Sequence, residues 1–123
     1  FSLAFGPVLV ENGVPRPAYE YRDYVIGEGA DDHARIALCQ RDELHYFIVT
    51  AGQDKNRNCF RLPPLQEFQN YVVSFGCKHA YTLDGGQTAT LVMNNQLMNC
   101  VSYDSERYIS DIIYFATAIP SGE

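Results

Sequence analysis

Apolar and polar positions alternate along most of this chain, and one stretch switches to helical spacing. Pro7 to Glu11 reads as a short strand closed by Asn12-Gly13, a strong hairpin-turn pair. Arg35 to Gln40 and Leu44 to Thr50 are rich in branched and aromatic residues, with Arg41-Asp42-Glu43 between them as a hairpin connection. Leu65, Phe68, Val72 and Phe75 recur at steps of three and four residues. With Pro63-Pro64 before them and Gly76 behind, the spacing predicts a helix over 64–76. His79 to Leu83, Thr88 to Met93, Gln96 to Cys100 and Asp111 to Ala118 then read as strands, Asn94-Asn95 turning the second into the third. A long irregular loop covers 14–33, and 51–62 is polar without periodicity. The expected class is α+β, a mixed β-sheet with one main amphipathic helix. The step from helix 64–76 into strand 79–83 has the look of half a βα crossover, whose strand end is a common ligand position.

Composition narrows the functions. A chain of 123 residues with 46% hydrophobic content can bury one core, so a single domain is expected. The formal charge of −6 argues against nucleic acid, which needs a clustered basic surface. No apolar run approaches the length of a membrane span. Cys39, Cys59, Cys77 and Cys100 form no Cys-x-x-Cys pair and no zinc spacing. Buried thiols are the expectation, one disulfide being the alternative in an exported protein, with three pairings open to four cysteines. Asp31-Asp32-His33 has no recognised ligand spacing and reads as a solvated loop, so neither metal nor cofactor is expected.

Residues 82–95, Thr-Leu-Asp-Gly-Gly-Gln-Thr-Ala-Thr-Leu-Val-Met-Asn-Asn, carry the chemistry. An apolar strand ends on Asp84, and Gly85-Gly86 then allow a ligand close to the main chain. A carboxylate beside exposed amides and hydroxyls suits sugar or phosphate chemistry. The plain alternative is a hairpin with an Asp-Gly-Gly turn, Asp84 capping its own backbone.

Tyr81-Thr-Leu-Asp-Gly-Gly-Gln-Thr-Ala-Thr-Leu-Val-Met93 resembles the Leu-Asp-Gly-Gly-Gly-Ser-Ser-Thr-Met signature of the phosphodiester glycosidase family. Three further segments resemble that family in its own order. They are Phe5-Gly-Pro-Val-Leu-Val-Glu-Asn-Gly13; Arg35-Ile-Ala-Leu38 with Tyr46-Phe-Ile-Val-Thr-Ala-Gly52; and Asn99 with Ser105-Glu-Arg107 and the run from Ile109 to Ile119. Departures are equally specific. Ala51-Gly52-Gln53 stands where the family has Asp-Gly-Arg, Gln87 replaces its third glycine, Thr88 and Ala89 replace its two serines, and Ala34 replaces a usual proline. An upstream Asn-Gly-x-Phe-Phe-like segment of the family is not in this chain, which is therefore expected to be the C-terminal portion of a larger domain or a subfamily that has lost that half.

The resemblance implies hydrolysis of a sugar 1-phosphodiester in envelope or exopolysaccharide metabolism, in an extracytoplasmic, secreted or bacterial cell-envelope setting. A phosphate leaving group is already a weak base, so cationic donors that receive its charge matter more than a general acid. Arg35 and Arg107 are the candidates for holding phosphate, since a guanidinium binds two oxygens at once. Asp84 is the first candidate carboxylate and Glu106 the second. Gly85, Gly86, Gln87 and Thr88 would hold sugar or phosphate. Glu106-Arg107 reads equally as a solvated surface pair. His33 is close enough in sequence to Arg35 to join the site, whereas His45 and His79 read as structural; Tyr19, Tyr21 and Tyr24 are candidate stacking platforms. The alternative function is a non-catalytic carbohydrate-binding or envelope-interaction module on the same scaffold. The expected partners are a sugar phosphodiester or polysaccharide, with self-association or pairing to an N-terminal portion through an open sheet edge.

Overall fold

A computed structural model of the chain describes residues 5–17, 33–52, 62–116 and 118. Its main sheet has five strands: β1 (Val8–Glu11), β2 (Val14–Pro15), β3 (Arg35–Asp42), β4 (His45–Ala51) and β5 (His79–Thr82), in the spatial order β2-β1-β5-β3-β4. Among the described residues one α-helix, α1 (Leu65–Ser74), lies between β4 and β5. A second sheet is the hairpin of β6 (Val92–Met93) and β7 (Gln96–Leu97). The α+β class is as expected. The four pairings of the main sheet are all antiparallel, where the sequence pattern pointed to a mixed sheet. β4 and β5 each run antiparallel to β3 between them, so they run parallel to each other and α1 is a crossover between them.

Alternation explains which face meets the helix. Ala37 and Cys39 of β3, Val49 of β4 and Ala80 of β5 pack with Leu65, Phe68 and Val72 of α1 into the larger core cluster. Ile36, on the opposite face of β3, joins Ala34 and Ala89 in a second cluster with Ile48, Leu62 and Leu83 around it. Gln69 is the polar exception on the buried face of α1. Its amide donates to the carbonyls of Leu9 and Arg16, at 2.8 and 2.6 Å, so it ties the helix to the β1–β2 hairpin without an unsatisfied group.

Cys39 and Cys77 form a disulfide, which overturns the expectation of buried thiols. It joins the middle of β3 to the turn that carries α1 into β5, and both residues are buried in the larger cluster. Cys100 is buried, and Cys59 lies outside the described residues.

Several boundaries differ from the sequence pattern, each for a local reason. The β3–β4 turn falls at Glu43-Leu44, with Leu44 at φ 59°, because pairing persists to Asp42 opposite His45. Thr88 to Met93 is not a continuous strand. Gly86–Thr88 form a 3-10 turn, Thr90 N–H donates to Thr88 C=O at 2.8 Å, and pairing resumes at Val92. Gln96 to Cys100 pairs as a strand through Leu97, Met98 N–H adds one further bond to Leu91 C=O (2.8 Å), and the Asn99 side chain then takes over. Its Oδ1 accepts from Leu91 N–H (2.6 Å), and its Nδ2 donates to the carbonyls of Ala89 (2.5 Å) and Cys100 (3.2 Å). Among the described residues 111–116 and 118 no strand forms; the segment is mostly exposed and no neighbouring strand pairs with it. Branched and aromatic residues favour a strand only where a partner edge is present.

Candidate functional site

Asp84 emerges where β5 leaves β3. Leu83 N–H donates to Ile36 C=O at 3.0 Å, continuing the ladder, and Gly86 N–H donates to Ala34 C=O at 2.8 Å. Between these two bonds β3 contributes one residue, Arg35, and the departing chain contributes two, Asp84 and Gly85. Two residues against one is the geometry of a β-bulge, a device that re-aims side chains at the ends of sheets. The register places Asp84, which is exposed, opposite the half-buried Arg35, and the bulge follows at once with Gly85.

Both glycines are required. A Cβ on Gly85 would lie 2.8 Å from the Ala34 carbonyl oxygen and 3.9 Å from Cδ of Arg35, so the Arg35 stem rests beside a bare backbone. Gly86 has φ 64°, the left-handed region that side chains disfavour. Arg35 is further held by donation from Nε to the Pro63 carbonyl at 3.3 Å, just ahead of α1.

The turn commits several groups to itself. Thr88 Oγ1 and Thr88 N–H both donate to Gly85 C=O, at 2.8 and 3.2 Å. The Thr88 hydroxyl can therefore accept from a ligand but has no proton left to offer an anion. Gly86 N–H is likewise occupied by Ala34. The N–H groups of Gly85 and Gln87 take part in none of these bonds. Gln87 Nε2 donates to Ser105 C=O at 3.0 Å, anchoring the following segment to the turn.

Arg35, Asp84, Gly85, Gly86, Gln87 and Thr88 are thus brought together at one end of β3 and β5. Glu106 and Arg107 are adjacent to Ser105 in the chain but are exposed, and neither side chain makes a hydrogen bond or ion pair among the described residues. His45 lies 3.8 Å from Asp42 at the other end of β3, and His79 Nδ1 accepts from Asn12 N–H at 3.4 Å. His33 is half-buried beside Ala34. Tyr19, Tyr21, Tyr24, Asp31, Asp32 and Gln53 fall outside the described residues. Gly52 is a packing necessity, since a Cβ there would collide with the Cys100 carbonyl.

Sequence reasoning missed Ser102. It is 2% exposed, and its Oγ accepts from Ala34 N–H at 3.1 Å. Ala34 is itself fully buried, and alanine brings an N–H that proline lacks, so the chain needs an acceptor there. Ser102 supplies it from 68 residues away. No local signal marks this pair. A groove of about 340 Å³ lined by Val8, Leu38, Tyr46, His79 and Tyr81 lies elsewhere on the sheet and includes none of the site residues.

Fold and site together define an antiparallel α+β domain in which Asp84 and Arg35 stand on neighbouring strands at a bulged sheet end. The family model for phosphodiester glycosidases matches residues 1–116, and the chain belongs to that family. No curated protein matches it.

Proposed function

We propose that this domain hydrolyses a sugar 1-phosphodiester, and that the bulged end of β3 and β5 is where it does so. The observation that carries the proposal is the placing of Asp84 opposite Arg35. In the reaction the bond from the anomeric carbon to the phosphate oxygen breaks, and its electron pair leaves with the phosphomonoester. Water adds to the sugar carbon and loses one proton, which the departing phosphomonoester takes up. The Arg35 guanidinium receives the charge that grows on the departing oxygen, aided by the N–H groups of Gly85 and Gln87. Asp84 faces the sugar, where a carboxylate stabilises the cationic transition state and orients water. The Thr88 hydroxyl, able only to accept, suits a sugar hydroxyl better than phosphate. Gly86 shapes the turn rather than binding through its N–H. The Cys39–Cys77 disulfide supports an extracytoplasmic setting, where such bonds persist.

One observation favours the second reading, a carbohydrate-binding module without turnover. Glu106, the second candidate acid, and Arg107 are held by no side-chain bond among the described residues. Hydrolysis assays on the two anomers of an N-acetylglucosamine 1-phosphodiester, with Asp84→Asn in parallel, separate the two. Release of phosphomonoester that Asp84→Asn abolishes supports the enzyme. Binding of the same diester without turnover by either protein supports the module, and neither binding nor turnover refutes both.

A further inference from the structure

We propose that Tyr103 is a sugar-stacking platform on the rim of the bulge, an assignment that rests on the sugar-phosphodiester reading above. Tyr103 lies in the short 3-10 turn Ser102–Asp104 with φ 60° and ψ 15°, left-handed angles that a bulky side chain resists. Among the described residues, four other non-glycine positions share the left-handed region. Asn12, Asn94 and Asn95 are of the type that tolerates it, and Leu44 closes the tight β3–β4 hairpin, whose twist calls for it. Tyr103 closes no hairpin, and its side chain is 80% exposed, so the packing of the fold gains little from a tyrosine at this point.

The backbone on both sides of it is fixed to the site. Ser102 Oγ is bonded to Ala34 N–H and lies 4.0 Å from where a Cβ on Gly86 would stand. Ser105 N–H points to Ser102 C=O at 3.5 Å, and Ser105 C=O accepts from Gln87. An exposed aromatic ring is thereby carried at the border of a turn whose own groups are polar. Strained positions of this kind collect at functional sites. A phenol ring offers a flat apolar face for the C–H side of a pyranose, at low entropic cost because it has two rotatable bonds. A ligand bearing both a sugar and a phosphate would then meet an aromatic face at Tyr103 and a cation at Arg35.

The test uses the full chain in an Asp84→Asn background, so that binding is read without turnover, with two probes: an N-acetylglucosamine 1-phosphodiester and inorganic phosphate. Tyr103→Gly is expected to weaken the diester about tenfold, to leave phosphate binding unchanged, and to raise the melting temperature because glycine adopts these angles freely. Tyr103→Phe is expected to restore diester affinity. Undiminished diester binding by Tyr103→Gly overturns the platform, and so does an equal loss of diester and phosphate, which would mean that Tyr103 acts through the turn. If Asp84→Asn and the parent chain both fail to bind the diester, the sugar-phosphodiester reading falls, and the platform with it.

Discussion

Arg35 faces Asp84 across the point where β3 and β5 part, one residue on one side opposing two on the other. The register of Ala37 with Thr82, continued by the Leu83–Ile36 bond, already brings Asp84 opposite Arg35, and the bulge adds one residue after it before Gly86 bonds Ala34. The extra residue is Gly85, and the close approach of the Ala34 carbonyl leaves no other side chain room.

Arg35→Lys keeps the charge but gives up the planar fork and the Nε donation to Pro63. Turnover of a sugar 1-phosphodiester should fall about 10- to 100-fold, by analogy with the loss of a charge-assisted bond. The melting temperature should move little, since Arg35 stands outside both apolar clusters. A change in stability as large as the change in rate would show the arginine to be structural.

Gly85→Ala and Gly86→Ala should be separable by chemical denaturation. The first drives a methyl to 2.8 Å from a carbonyl oxygen, so the bulge must open, at a cost of about 1–3 kcal/mol. The second meets nothing nearer than Ser102 Oγ at 4.0 Å and carries only the left-handed penalty, about 1 kcal/mol. Activity should be hit harder by Gly85→Ala.

Ser102→Ala deprives a buried N–H of its acceptor, which should cost about 1–3 kcal/mol. Ala34→Pro removes the same N–H. In a double-mutant cycle, Ala34→Pro should therefore be less harmful in the Ser102→Ala background than in the parent chain. Strict additivity of the two would show that the Ala34–Ser102 bond carries no stability.

Replacing Cys39 and Cys77 together by alanine opens a linkage spanning 38 residues. The loss should be about 3–4 kcal/mol on the chain-entropy estimate. Denaturant midpoints of the parent and the double variant, each with and without reductant, give the measure. A parent midpoint unmoved by full reduction would remove the disulfide from the account of stability.

The parts of this fold that were legible in the sequence are those whose signal is local. Leu65, Phe68 and Val72 mark the helix by spacing alone, and β1, β3, β4 and β5 follow from alternation. Asp84-Gly85-Gly86 could be read as a turn with a carboxylate at its head. What could not be read depends on distant partners. Thr88 to Met93 has strand-like composition, yet the hydroxyl of Thr88 and the amide of Asn99 hold it in turns. Nothing in the run from Asp111 to Ala118 tells whether an edge awaits it. The Cys39–Cys77 pairing is one of several that spacing allows. Ser102 matters only because Ala34, far away in the chain, brings a proton to it.

The two apolar clusters also set an order of opening. The helix, the disulfide and the middle of the sheet belong to the larger one, whereas the bulge leans on the smaller group of Ala34, Ile36 and Ala89. The bond that closes the smaller group spans 68 residues from Ala34 to Ser102, and the neighbouring Arg35 reaches 28 residues to Pro63. Such a subdomain can detach while the rest stays folded. Backbone amides at Ala34 and Gly86 should then exchange with solvent deuterium sooner than those of Cys39 and Ala80, which would put the proposed site in the least protected part of the domain.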